Sequence, residues 1–280
     1  MQPSKFQSAP SKISNKSVDP IEQIDAKLKY IYITTTCLCL FMLTWILLAP
    51  GAVFANSQKP GWRTKQISHM DERMSHFPPK LLTKYEGETL VAYTHIFPAA
   101  VWVAAIPLQF HPLIRRKYRN THRQIGRIFV YLSFLMMIGF GIILYRGLSY
   151  ENYLEGKEPF TIPGTSLRTI DVALCMLAAS FLYCVIVAVN FAKAKEFHQH
   201  QYWMIRHCSL GMWVVVQRFL GFIFSPWYGI IYGNVTASGV FQGGFFLGIG
   251  ILGIVMSIAT GEYSILLLKK KVLVKAEFIN

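Results

Sequence analysis

Acidic residues are scarce in this chain. Its 280 residues hold 14 Asp and Glu against 28 Lys and Arg, and charged residues make up only 15%. A soluble domain carries about 25%. With 53% hydrophobic residues and a positive mean hydropathy, there is more apolar surface than one soluble core of this length can hide, so lipid is the expected solvent. The chain also lacks a Walker loop, a nucleophile elbow, a zincin helix and a paired-Cys zinc site, which argues against the familiar soluble enzyme classes. Cysteine is sparse. Cys37, Cys39, Cys175, Cys184 and Cys208 all fall in or beside apolar runs and none lies in the long polar stretch after the first run, so no disulfide framework is implied. Cys37 and Cys39 are two apart and point in different directions on a helix, which excludes a shared metal or redox role.

The apolar runs that are present define an all-α polytopic membrane bundle of about six transmembrane helices. Residues 1–29 read as a flexible cytosolic tail and 30–55 as the first transmembrane helix, with its apolar run from 31 to about 50. Ala52, Val53, Phe54 and Ala55 resemble a signal-peptidase site, but the run is long for a cleaved signal peptide and a retained signal anchor is favoured. A loop over 56–88 follows on the outer side. Then come four spans over 89–110, 128–148, 169–192 and 206–231, forming a four-helix core at 89–231, a glycine-rich last helix over 240–268, and a basic tail over 269–280.

Orientation is read from Lys and Arg in short connections. Residues 111–127 hold Arg115, Arg116, Lys117, Arg119, Arg123 and Arg127 and no acid. Lys193, Lys195 and Arg206, and then Lys269, Lys270, Lys271 and Lys275, recur on the same side in alternating order, which predicts cytosolic N- and C-termini. The net charge of +14 sits between apolar runs, so the expected partners are anionic lipid headgroups and not nucleic acid. Gly244 and Gly248 make a small-xxx-small pair suited to close helix packing. Asn234-Val235-Thr236 is a sequon too near the membrane to expect modification.

A charge within a span asks for a reason, because Arg at a helix centre costs about 2.5–3.5 kcal/mol on insertion scales. Arg218 is the clearest case, and at ~100° per residue His200, His207, Gly211 and Arg218 share one stripe. His95, six residues inside the outer end of its span, matches Arg218 in depth, and it shares a face with Trp102 and Gln109. A site using both is allowed. The plainer alternative is that each satisfies local carbonyls. Glu262 and Asp171 are the candidate counter-charges, and neither matches Arg218 in depth. On the other side, His111, His122, His198, His200 and His207 collect around the starts of two spans. His122 facing His200 or His207 suits a bis-histidine haem; the alternative is interfacial histidines among headgroup-binding cations.

Several of these residues form motifs. Thr94-His95-Ile96 with Pro107-Leu108-Gln109-Phe110, then His122-Arg123-Gln124-Ile125-Gly126-Arg127, then His200-Gln201-Tyr202-Trp203-Met204-Ile205-Arg206 with Arg218 beyond, resemble the predicted membrane proteins of domain of unknown function 2306 over about 89–225. The resemblance implies a helical membrane core whose recurrent polar positions are His95, His122, Arg123, Arg127, His200, Trp203, Arg206 and Arg218. It implies no reaction.

Two functional readings follow. In one, the chain is an electron-transfer protein with haem b on His122 and His200 or His207. His95, Gln109, Trp203 and Arg218 then line a quinone or small-molecule pocket, and Arg123, Arg127 and Arg206 serve structure or lipid headgroups. This is similar, by analogy only, to the cytochrome b561-type arrangement. In the other, the chain is an anion carrier or sensor in which Arg218 holds the anion and His95 relays protons.

Overall fold

The computed structural model describes residues 19–48, 85, 87–149, 169–232 and 239–277, and the side chains of these except 47, 48, 169 and 225–244. The sequence features at 1–18, Ala52–Ala55, the loop over 56–84 and Asn234 lie outside them. All regular structure among the described residues is helical: α1 (Pro20–Leu48), α2 (Thr89–Phe110), the short α3 (Pro112–Arg116), α4 (Arg119–Tyr145), α5 (Thr169–Lys193), α6 (Phe197–Tyr232) and α7 (Gly239–Glu277). Six of them are long and apolar enough to cross a membrane. The chain is a multi-pass membrane protein by this architecture.

Four helices begin or end well beyond the expected spans. α1 starts at Pro20 and not near 30, with the Asp19 carboxylate accepting from Ile21 N at 2.9 Å. Pro at the first helical position and an Asp cap before it are ordinary start signals. They win over the polar composition that suggests a tail. α4 and α6 begin nine residues before the apolar runs at 128 and 206, and α7 runs on to Glu277. His122 and His200 are therefore helical residues.

An antiparallel sequence of spans puts both ends of the bundle on one face. Lys271, late in α7, pairs with Asp25, early in α1. On the opposite face Arg146 at the end of α4 pairs with Glu88 just before α2. The basic connection 111–127 lies on the same face as the two chain ends.

α2 contains one irregularity. Ala92–Ile96 forms a π-helical turn directly before Pro98. Proline has no N–H and its ring crowds the carbonyl four residues back, here Thr94. A widened turn relieves both. The exposed backbone of this turn is met by Gly139 of α4, where a Cβ would stand 2.7 Å from His95 Cβ and from Thr94 C.

The centre of the bundle is a cluster of Cys39 from α1, Trp102 and Ile106 from α2, Phe129 and Met136 from α4, Phe181 from α5, and Cys208, Met212 and Val215 from α6. The first helix is thus part of the core, and not an addition around a four-helix unit as the sequence suggested. α7 packs along α6 through a second cluster of Val216, Leu220, Phe246 and Ile249. The glycines that allow this approach are Gly250, Gly253 and Gly261, whose added Cβ atoms would meet Gln217, Trp213 O and Ser209. Gly248 faces open space among the described residues. The close approach is made instead along a stripe at spacings of three and four, Gly250, Gly253, Ser257, Gly261 and Ser264.

Candidate functional site

The deepest polar group is His207, which is fully buried. Its ring is boxed by Phe181 at 4.0 Å, Phe129 at 5.6 Å and Trp102 at 5.7 Å between centroids. Both nitrogens are used. Nδ1 lies 2.9 Å from Phe181 O and Nε2 lies 3.0 Å from Ser133 Oγ. A carbonyl only accepts, so Nδ1 carries the proton, and in the neutral ring Nε2 accepts from the Ser133 hydroxyl. Ser133 in turn accepts from Trp102 Nε1 at 3.0 Å. This network ties α2, α4, α5 and α6 together. It also removes His207 from the candidate haem ligands, since neither nitrogen is available and three rings fill the space a porphyrin would need. Sequence reasoning missed Ser133. Its one signal was being the only Ser or Thr between Ile128 and Tyr145.

The π-helical turn brings His95 to α4, where Nδ1 sits 2.9 Å from Met136 O.

α6 carries its two arginines on different faces. Arg206 binds Glu262 of α7 through both nitrogens, at 2.6 and 3.0 Å, and stacks 4.9 Å from the ring of Trp203. Trp203 meets Tyr183 of α5 edge-on at 5.6 Å. The bidentate pair borders a cavity of about 130 Å³ with Cys184, Ser209 and Leu210. Arg206 is therefore a helix-pairing residue, not one freely offered to headgroups.

Arg218 has no such partner. Its guanidinium stands 5.1 Å from the ring of Phe246, and its buried Nη1 makes no hydrogen bond. Among the described residues it has no ion pair. The adjacent Gln217 donates to Phe246 O at 3.3 Å and fills the space above Gly250, so the α6–α7 seam gives a glycine where the Arg206 level has an acid.

On the basic face, Gln109 Nε2 donates to His122 O at 3.2 Å, over Gly126, so Gln109 holds the end of α2 against α4. His200 Nδ1 lies 2.9 Å from Ala188 O, which directs its proton to that carbonyl and leaves Nε2 as the acceptor nitrogen. His122 Nδ1 is buried without a partner, and the two imidazoles lie close enough to act on each other electrostatically. Arg115 caps the region through a 3.0 Å bond to Gln201 Oε1. Arg123 and Arg127 are exposed. The donor set of His122 and His200 fits an iron porphyrin chemically, with one unengaged nitrogen from each of α4 and α6.

No family model, curated protein or solved structure matches the chain.

Proposed function

We propose that this multi-pass membrane protein binds a small anion at Arg218, as a carrier or sensor. One observation carries the reading: a guanidinium held within a span, with Nη1 buried and unpartnered. A buried guanidinium nitrogen without an acceptor among the described residues bears its desolvation penalty uncompensated, about 1–3 kcal/mol for a neutral polar group and more for a charged one. A bound carboxylate or phosphate oxygen supplies the missing acceptor. Phe246 holds the face of the guanidinium and leaves its edge for the ligand. His95 is not needed.

The test is thermal unfolding of the detergent-purified protein with acetate, benzoate or inorganic phosphate, for the wild type and Arg218→Leu. The wild type should be stabilised by at least one of these anions. Arg218→Leu should lose that shift and, without anion, melt at the same or a higher temperature, because leucine removes the unpaired charge. A variant that is severely destabilised in the absence of anion would make Arg218 a structural residue.

A second reading, a b-type haem electron-transfer protein with His122 and His200 as axial ligands, is supported by the unengaged nitrogens of those two residues. A haem held by these two residues would supply one-electron chemistry. Protein expressed with ample haem should then show a Soret band that shifts on dithionite and disappears in His200→Ala. A colourless preparation ends this reading. The likeness to domain of unknown function 2306 belongs with these proposals and favours neither.

A further inference from the structure

Every cation that meets an acid in the described bundle is paired across helices: Arg146 with Glu88, Arg206 with Glu262, Lys271 with Asp25. The connection between α2 and α4 is different. Arg115, Arg116, Lys117, Arg119, Arg123 and Arg127 are all exposed, and none has an ion-pair partner among the described residues. Between α3 and α4 lies an open cavity of about 400 Å³ lined by Arg116, Lys117, Tyr118, Arg119, Asn120 and Thr121.

The surface running from this cavity into the membrane is continuous. Arg119, Arg123, Arg127, Tyr131, Phe134, Ile138 and Tyr145 follow at spacings of three, four and seven, which is one helix face. The apolar members are uncovered: Tyr131 is 66% exposed, Ile138 61% and Tyr145 92%. Gly141, on the same side, faces open space. α4 packs inward on α2 and only briefly against α5, so among the described residues no helix covers the stripe. It is basic at one end and apolar for the rest of its length.

We infer that this face of α4 is a binding site for one polyanionic phospholipid, its phosphorylated headgroup in the Arg116–Thr121 cavity between Arg116, Lys117, Arg119 and Arg123 and its acyl chain along Tyr131, Phe134 and Ile138. The loop joins two spans, so the cavity sits at headgroup level. A single phosphate is satisfied by one or two guanidinium groups. Three cations without an acid partner among the described residues, Arg116, Lys117 and Arg119, line this cavity, and Arg123 follows one turn along α4, a set that matches a headgroup bearing several phosphates. An ordinary basic loop needs only charge, whereas this one also offers a cavity and an adjoining uncovered apolar track.

Native mass spectrometry of the full-length protein decides it. Four probes are compared: phosphatidylcholine, phosphatidylglycerol, phosphatidylinositol 4,5-bisphosphate and soluble inositol 1,4,5-trisphosphate. The phosphorylated inositol lipid should be retained about tenfold or more over phosphatidylcholine, and clearly over phosphatidylglycerol. Arg116→Gln/Arg119→Gln/Arg123→Gln should abolish that preference, while Lys269→Gln/Lys270→Gln/Lys275→Gln should keep it. Retention of phosphatidylglycerol equal to the inositol lipid, or equal loss in both variants, reduces the site to general charge and overturns the inference. Soluble headgroup bound as tightly as the lipid removes the acyl track. A dimer that excludes lipid and separates on Tyr131→Glu makes the stripe a contact between two copies. The lipid preference is read on the wild type, so misfolding of a variant does not leave the question open. Arg218 plays no part, which keeps this test separate from that of the anion site.

Discussion

On α6, Arg206 and Arg218 are separated by ~18 Å of helix, and only the first meets an acid. Their difference is not in the residues but in what α7 presents at each level: Glu262 at one, Gly250 and Phe246 at the other. His207 shows the opposite economy, with each nitrogen engaged and an aromatic wall on three sides. Its bond to Ser133 is therefore a measurable coupling. Ser133→Ala leaves Trp102 Nε1 and His207 Nε2 without these partners, and His207→Leu leaves the Ser133 hydroxyl accepting from Trp102 Nε1 and donating to Phe129 O. Hydrogen bonds between membrane helices couple by about 0.6 to 1.7 kcal/mol. Unfolding free energies of both single variants and the double variant should show the double falling short of the sum by that amount. Strict additivity would mean that the bond contributes nothing.

At the scale of elements, glycine decides where helices touch. Gly139 lies against the π-helical turn of α2, with no room for a Cβ beside His95 and Thr94. Gly139→Ala should destabilise the protein by about 1–3 kcal/mol, the usual cost of overpacking, while Gly141→Ala, facing open space, should cost nothing or gain slightly in helix propensity. Comparing the two melting temperatures isolates packing from propensity. Equal shifts would place the α2–α4 contact elsewhere. The turn itself follows from Pro98, a signal visible in the sequence, but that it would be answered by a glycine on another helix was not. The same holds for α7. Its abundance of glycine announced close packing, yet Gly248, chosen by its spacing from Gly244, faces open space and the contacts fall to Gly250, Gly253 and Gly261. The rule fixes which residues share a face, not which face turns inward.

At the scale of the whole molecule, composition and hydropathy determined that the described residues are helical, with six helices long and apolar enough to cross a membrane, because a lipid solvent leaves the backbone few other choices. The span over 89–110 was legible to the residue, and in the stripe of His200, His207, Gly211 and Arg218 it is His207 that is fully buried and Gly211 that lies against Trp102. Helix starts at Pro20, Arg119 and Phe197 were underestimated, since hydropathy marks where lipid begins and not where hydrogen bonding does. Only the tertiary structure decided which buried polar groups meet. It brought α1 into the core, set His95 against Met136 O, engaged both nitrogens of His207, and gave Glu262 to Arg206. Depth along a span is a property of one helix and can be counted from its sequence. A contact depends on the rotation and register of two helices against each other, which are set by side-chain packing summed over their whole length.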